Sequence, residues 1–266
     1  MNIFLRELRT GRRSVLVWAL VIAGLNVLIM AVYPSFAADA ARLEELVAMY
    51  PEGFAKAFGL DRMSLADPLA FYATEGYFMV VLFGGIYAAI LGASILAKEE
   101  DEKTIEYLLA LPVTRNEVLT GKVLAVVANL ALFNLIVAVV TCLSFVGFVT
   151  RDYSTATLLL LLAAPFLVHL TFAALCFFLS LFWTRRRAAY SISIGLVVGT
   201  YFLNVIALLT DDLRWLGWLS PFKYVDAADI ISKQSLDGLY VFILLTAGAV
   251  AVGATYLLYG RRDITV

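Results

Sequence analysis

The sequence predicts an all-α membrane protein with six transmembrane helices. Hydrophobic residues occupy 62% of the 266 positions and the mean hydropathy is +0.90, which is more apolar surface than a water-soluble domain of this length can bury. Charged residues make up only 15% of the chain, and they lie in short groups between long uncharged runs. A bilayer is therefore the solvent that this composition fits, and a water-soluble domain is excluded.

Six runs without Lys, Arg, Asp or Glu define the spans, and each has the roughly 20 residues that a helix needs to cross the hydrocarbon. Because the runs are continuously apolar rather than alternating, helices are favoured over a membrane β-barrel. The runs cover residues 14–38, 76–97, 123–150, 153–184, 188–210 and 238–260. We place the spans at 14–36, 72–97, 116–147, 155–184, 188–210 and 238–260, within one membrane domain of residues 1–266.

The first run follows an Arg-rich amphipathic segment, and this combination also occurs in secretory signal peptides. The apolar core of a signal peptide has about 7–15 residues, whereas the run 14–38 is longer. We therefore expect a retained first helix. Residues 39–60 follow it with apolar side chains at spacings of three and four, and they predict an amphipathic helix broken near Pro51 and Gly53.

Basic residues predict the orientation of the bundle, because cytoplasmic loops carry an excess of Lys and Arg. One side holds thirteen of the 20 basic residues: Arg6, Arg9, Arg12, Arg13, Lys98, Lys103, Arg115, Lys122, Arg185, Arg186, Arg187, Arg261 and Arg262. We therefore expect a multi-pass protein of the plasma membrane with both termini in the cytoplasm. The external segment 211–237 places Trp215 and Trp218 beside a turn at Ser220-Pro221, which fits an interfacial anchor or an extracellular gate.

The loop 98–115 between the second and third spans carries the most information. Ile105, Leu108 and Leu109 stand at helical spacing, which predicts a short amphipathic helix that ends at Pro112. Thr114 and Glu117 form a T-x-x-E capping box, so a new helix should begin near Arg115. A simple connection and a partner-binding helix both fit this pattern.

Four segments of this region resemble ABC-2-type transporter permeases: residues 98–100 (KEE), 103–109 (KTIEYLL), 111–115 (LPVTR) and 121–122 (GK). The amphipathic start with Glu7 and the six spans extend the resemblance over essentially the whole chain. The resemblance implies a coupling helix that contacts a separate ATPase subunit. The implied contact residues are Glu99, Glu102, Lys103, Thr104, Ile105, Glu106, Tyr107, Leu108, Leu109, Pro112 and Arg115, with a minor contact at Arg185, Arg186 and Arg187.

The sequence contains no G-x-x-x-x-G-K-[ST] phosphate loop, so this chain is not expected to be an enzyme or to bind a cofactor. The resemblance implies that ATP and Mg²⁺ bind a partner ATPase, and that a second copy of this chain or a homologous permease completes the transporter. Membrane lipid is an expected partner and nucleic acid is not. The expected cargo of an exporter is an amphiphile such as a peptide, an antibiotic or a lipid-like molecule, with ions or other small solutes as the alternative.

Only a few polar residues inside the spans are candidates for a catalytic or metal-binding role. His169 fits a packed imidazole bonded to a neighbouring helix, a proton relay, or a hydrolase dyad with Ser94. Ser94, however, lies nearer the end of its span. Cys142 and Cys176 have no further Cys or His at ligand spacing, so we predict free thiols and no metal site. A non-catalytic membrane scaffold remains a third hypothesis, and it differs from a transporter in having no ATP-dependent transport.

Overall fold

The computed structural model describes residues 3–39, 45, 49, 53, 62–101, 114–183 and 186–259. Within these residues the secondary structure is helical, with no β-strand. Six helices are long and apolar enough to cross a membrane, which confirms the predicted all-α membrane fold. They comprise α1 (Ile3–Ala38), α3 (Phe78–Asp101), α4 (Arg115–Phe148), α5 (Thr155–Leu179), α6 (Arg186–Leu209) and α8 (Gly238–Tyr259).

The amphipathic start and the first span form one continuous helix, because α1 runs without a break from Ile3 to Ala38. The second span has a composite beginning. Asp67 caps the short helix α2 (Pro68–Phe71) by accepting hydrogen bonds from two backbone N–H groups, as expected for an N-cap aspartate. A π-helical turn (Tyr72–Tyr77) then leads into α3. Pro165 lies inside α5, and the helix continues through it.

The segment 211–237 is structured. It consists of two 3₁₀ helices and the short helix α7, which span Asp211–Leu219, Pro221–Val225 and Ala227–Lys233. The amphipathic helix predicted for 39–60 falls outside the described residues, apart from positions 39, 45, 49 and 53.

The spans pack in a definite order. Helix α1 lies along α4, α3 packs against both α5 and α6, and α8 packs against α5. The approach of α3 to α5 is close at Gly92, where an added Cβ would lie 2.1 Å from the backbone oxygen of Ala173. Only glycine permits that distance, so Gly92 sets how near these two helices come.

Two ends of the bundle can be distinguished by their contacts. At the end that we call the basic end, the start of α1, the end of α3, the start of α4 and the end of α8 come together. At the opposite end, Tyr77 donates a hydrogen bond to the Val225 carbonyl at 2.7 Å. Arg151 there donates to the carbonyls of Ala37 and Ala66. The loop 98–115 thus leaves and re-enters the bundle at the basic end.

Candidate functional site

Three helix ends at the basic end meet around one buried carboxylate. Glu7 of α1 accepts a hydrogen bond from the Lys98 ammonium near the end of α3. The other oxygen of Glu7, Oε1, lies 3.7 Å from the Nζ atom of Lys122 in the first turns of α4. Lys122 also donates a hydrogen bond of 2.6 Å to the Ile95 carbonyl of α3. We call Glu7, Lys98 and Lys122 the charge cluster.

Burial makes the charge cluster energetically important. The side chain of Lys122 is fully buried, that of Glu7 is 3% exposed and that of Lys98 is 14% exposed. A buried charge is tolerated when it is paired and hydrogen-bonded, and the loss of one partner leaves the other uncompensated. One carboxylate therefore holds two ammonium groups, and through them it ties α1, α3 and α4 together.

Local packing brings these three residues within reach. An added Cβ on Gly121 would lie 3.2 Å from the Cβ and Cγ2 atoms of Ile3, so the start of α4 lies close against the start of α1. Gly11 makes a similar approach, with an added Cβ 3.2 Å from the Asn129 side chain. Small residues at both crossing points let the two backbones approach closely enough for Glu7 to meet Lys122.

The far end of the loop is also fixed. Thr114 and Glu117 form the predicted capping box. The Glu117 carboxylate accepts a hydrogen bond from the Thr114 backbone N–H at 2.7 Å. The Thr114 hydroxyl in turn accepts one from the Glu117 backbone N–H at 3.2 Å. Arg115 then donates to the Tyr259 carbonyl at 3.1 Å, which links α4 to the end of α8. The helix start predicted from the sequence is therefore confirmed.

Comparison with protein-family models identifies the family of this chain. The model described as ABC-2 family transporter protein matches residues 1–264. The chain belongs to the ABC-2 transporter family. Comparison with curated protein sequences gives no match. Together with the six spanning helices, family membership makes this chain a multi-pass membrane protein and the membrane part of an ABC transporter.

Most residues of this ABC-2 transporter for which we predicted an ATPase contact lie outside the described part of the chain: Glu102, Lys103, Thr104, Ile105, Glu106, Tyr107, Leu108, Leu109, Pro112 and Arg185. Glu99 lies in the last turn of α3, and Arg186 is the first residue of α6. Arg187 is exposed at the start of α6. Arg115 has a structural contact to α8, so it anchors the loop whether or not it also contacts a partner.

The charge cluster itself was missed by sequence reasoning. Glu7 counted only as part of the amphipathic start, and Lys98 and Lys122 only as basic residues in segments that resemble the family. Glu7 and Lys98 are 91 positions apart, and no local spacing links such residues. The one available signal was a single acid among the arginines that precede the first span.

His169 of the ABC-2 transporter is a bridge between helices. Its Nδ1 atom lies 3.1 Å from the Asn134 side-chain oxygen of α4, and its Nε2 atom lies 3.2 Å from the Val80 carbonyl of α3. Gly84 provides the space, because an added Cβ would lie 2.5 Å from the imidazole ring. Ser94 instead donates to the Leu91 carbonyl of its own helix. This geometry supports the interpretation of His169 as a packed imidazole and provides no Ser–His dyad.

Proposed function

We propose that this ABC-2 family chain is the permease subunit of an ATP-driven exporter, with loop 98–115 as its contact to a separate ATPase subunit. The supporting observation is the attachment of both ends of that loop to other helices. Lys98 is bonded to α1 through Glu7, and Arg115 is bonded to the end of α8. A partner that displaces the loop therefore acts on four spans at once, α1, α3, α4 and α8.

The proposed coupling follows from the buried charges. The Glu7 side chain is only 3% exposed. If Lys98 moved away, this buried carboxylate would lose one of its two neighbouring cations and keep Lys122. The desolvation cost of such a change favours movement of α1, α3 and α4 as a unit. Closure of the ATPase on ATP and Mg²⁺ would then shift the bundle between two packed arrangements. ATP hydrolysis takes place on the partner chain in this scheme.

A complete transporter needs a second permease, either another copy of this chain or a homologue. Among the spans, α6 and α8 have the smallest buried share, and large apolar side chains such as Phe202 and Phe242 are exposed on them. Such surfaces fit lipid or a second permease. The proposed cargo is an amphiphile, since the spans offer apolar surface and few charges.

Copurification tests the proposal. The tagged full-length chain is isolated from its native membrane in mild detergent, and the recovered ATPase activity and its subunit are measured. The variant Glu102→Lys, Glu106→Lys and Leu108→Asp changes only the predicted contact helix. Its matched control reverses two exposed acids, Glu75→Lys and Asp152→Lys, at the opposite end.

We expect the contact variant to lose the ATPase subunit and the control to retain it. Equal recovery of an ATPase with both variants would place the contact elsewhere. Recovery of no ATPase with the unaltered chain would overturn the proposed function as a whole.

A further inference from the structure

A cavity of about 750 Å³ lies at the opposite end of the bundle, between the end of α6, the 3₁₀ helices and the start of α8. Its size is within the range of about 300–1,000 Å³ that is typical of small-molecule sites. The residues that decide its chemistry include Arg62, Arg214, Trp215, Trp218, Lys223 and Asp226. Cations, carboxylates and indole rings therefore share one concave surface outside the spans.

Two carboxylates of the cavity, Asp226 and Asp229, are already engaged. Arg62 donates to Asp229 at 2.8 Å and to Asp226 at 3.2 Å. Asp226 also caps α7 by accepting from the Asp229 backbone N–H at 2.9 Å, and Lys233 lies 3.4 Å from the second oxygen of Asp229. These acids are satisfied by protein groups, so they leave little attraction for a cationic ligand.

Two cations of the cavity, Arg214 and Lys223, differ from these acids in their pairing. Within the described residues neither Arg214 nor Lys223 forms an ion pair, and Asp211, which also lines the cavity, pairs with neither. Burial lowers the pKa of Lys223, the charge of Arg214 lowers it further, and the charge of Asp229 opposes these effects. Two like charges thus act on each other in one cavity, and no carboxylate of the described residues lies within ion-pair distance of either.

The Lys223 side chain packs against two residues of the preceding 3₁₀ helix, Gly217 and Trp218. Its stem crosses Gly217, where an added Cβ would lie 3.2 Å from the Lys223 Cδ atom. Its Nζ atom lies 3.6 Å from the centre of the Trp218 ring, a cation–π geometry. The Tyr224 hydroxyl donates to the Trp218 carbonyl at 2.6 Å, which fixes the 3₁₀ segment that carries the indole. The site is therefore pre-organised.

We propose that this cavity binds the phosphate-bearing headgroup of an amphiphile. Arg214 and Lys223 would contact the anion, because charge-assisted hydrogen bonds to phosphate are strong and the site offers two such donors. Trp215 and Trp218 are about half exposed beside them, as aromatic residues at a lipid–water boundary are. The proposal concerns ligand binding at the end away from loop 98–115, and it stands whether or not an ATPase drives the bundle.

Binding of dodecyl phosphate to the purified full-length chain in an uncharged maltoside detergent tests the proposal by titration calorimetry. Arg214→Gln and Lys223→Gln should each weaken binding by at least about tenfold, since each removes a charge-assisted hydrogen bond. Lys233→Gln is the matched control, because it removes a cation of the same segment that does not line the cavity. Dodecyltrimethylammonium should bind at least about tenfold more weakly than dodecyl phosphate.

Equal binding of the phosphate and ammonium amphiphiles, or equal weakening by the Lys233 control, would overturn the proposal. Should Lys223→Gln fail to fold, Arg214→Gln and its conservative partner Arg214→Lys still decide the matter, because Arg214 is exposed. Partial binding by Arg214→Lys supports a direct anion contact, whereas unchanged binding by Arg214→Gln refutes it.

Two further measurements identify the source of the headgroup. Inorganic phosphate that competes as well as dodecyl phosphate would show a site for a free anion and overturn the amphiphile part of the proposal. Phosphatidylglycerol retained by the purified chain is quantified by mass spectrometry. If Arg214→Gln loses this lipid, the ligand of the cavity is a resident bilayer lipid. If the lipid is unchanged while dodecyl phosphate binding is weakened, the ligand is an added amphiphile such as a cargo. Both of these outcomes support the site.

Discussion

Replacement of Glu7 by Gln removes the only carboxylate of the charge cluster while keeping the size of the side chain. The change removes the Glu7 charge from beside Lys122, which is fully buried, and Lys98, which is 14% exposed. Breaking a buried ion pair on one side costs about 3–5 kcal/mol. At about 2–4 °C per kcal/mol, the apparent Tm should fall by roughly 6–20 °C.

A double-mutant cycle separates pairing from general damage at this position. Lys98→Met alone leaves Glu7 with Lys122, and Glu7→Gln combined with Lys98→Met removes both partners of the shorter contact. The double variant should be less destabilised than the sum of the single variants, by about 0.5–3 kcal/mol, since the two residues act as a unit. Exposed Glu75→Gln is the control and should shift the apparent Tm by less than about 2 °C.

The assay is thermal unfolding of the purified chain in detergent, followed by hydrogen exchange of the helix ends. Glu7→Gln should speed exchange of backbone amides in residues 3–13 and 94–101, while the middle of α5 stays protected. An unchanged Tm in Glu7→Gln, or strictly additive single and double variants, would refute the view that this cluster holds the basic end together.

Three other changes have outcomes that follow from the contacts. Gly92→Ala should strongly destabilise the bundle, because the added Cβ would collide with a backbone carbonyl of α5. The control Gly195→Ala has open space around it and should be neutral or stabilising by up to about 1 kcal/mol. Comparison of the two Tm values tests this prediction. Thr114→Ala should cost about 0.5–2 kcal/mol by removing the hydroxyl that accepts from Glu117, seen as faster hydrogen exchange in the first turn of α4. His169→Ala should cost about 1–3 kcal/mol by unpairing buried polar groups; an unchanged Tm would contradict its role as a bridge between helices.

Features that depend on local sequence could be predicted well. The six spans follow from charge-free runs because the transfer of a helix into hydrocarbon depends mainly on the residues of that helix. The capping box of Thr114 and Glu117 was also predictable, since its hydrogen bonds join residues three apart. The family resemblance of the loop 98–115 agrees with the family match to residues 1–264. The contact of that loop with an ATPase stays a prediction.

Tertiary structure alone decided which polar residues meet. A span that is apolar on every side does not indicate from its sequence which side is buried, so rotation and pairing depend on close packing at points such as Gly92 and Gly121. That packing places Glu7 beside Lys98 and Lys122. The sequence by itself therefore determined that the chain spans a membrane six times, because that property sums over each helix. The charge cluster and the cavity at the opposite end required the fold, because both depend on residues brought together from distant parts of the chain.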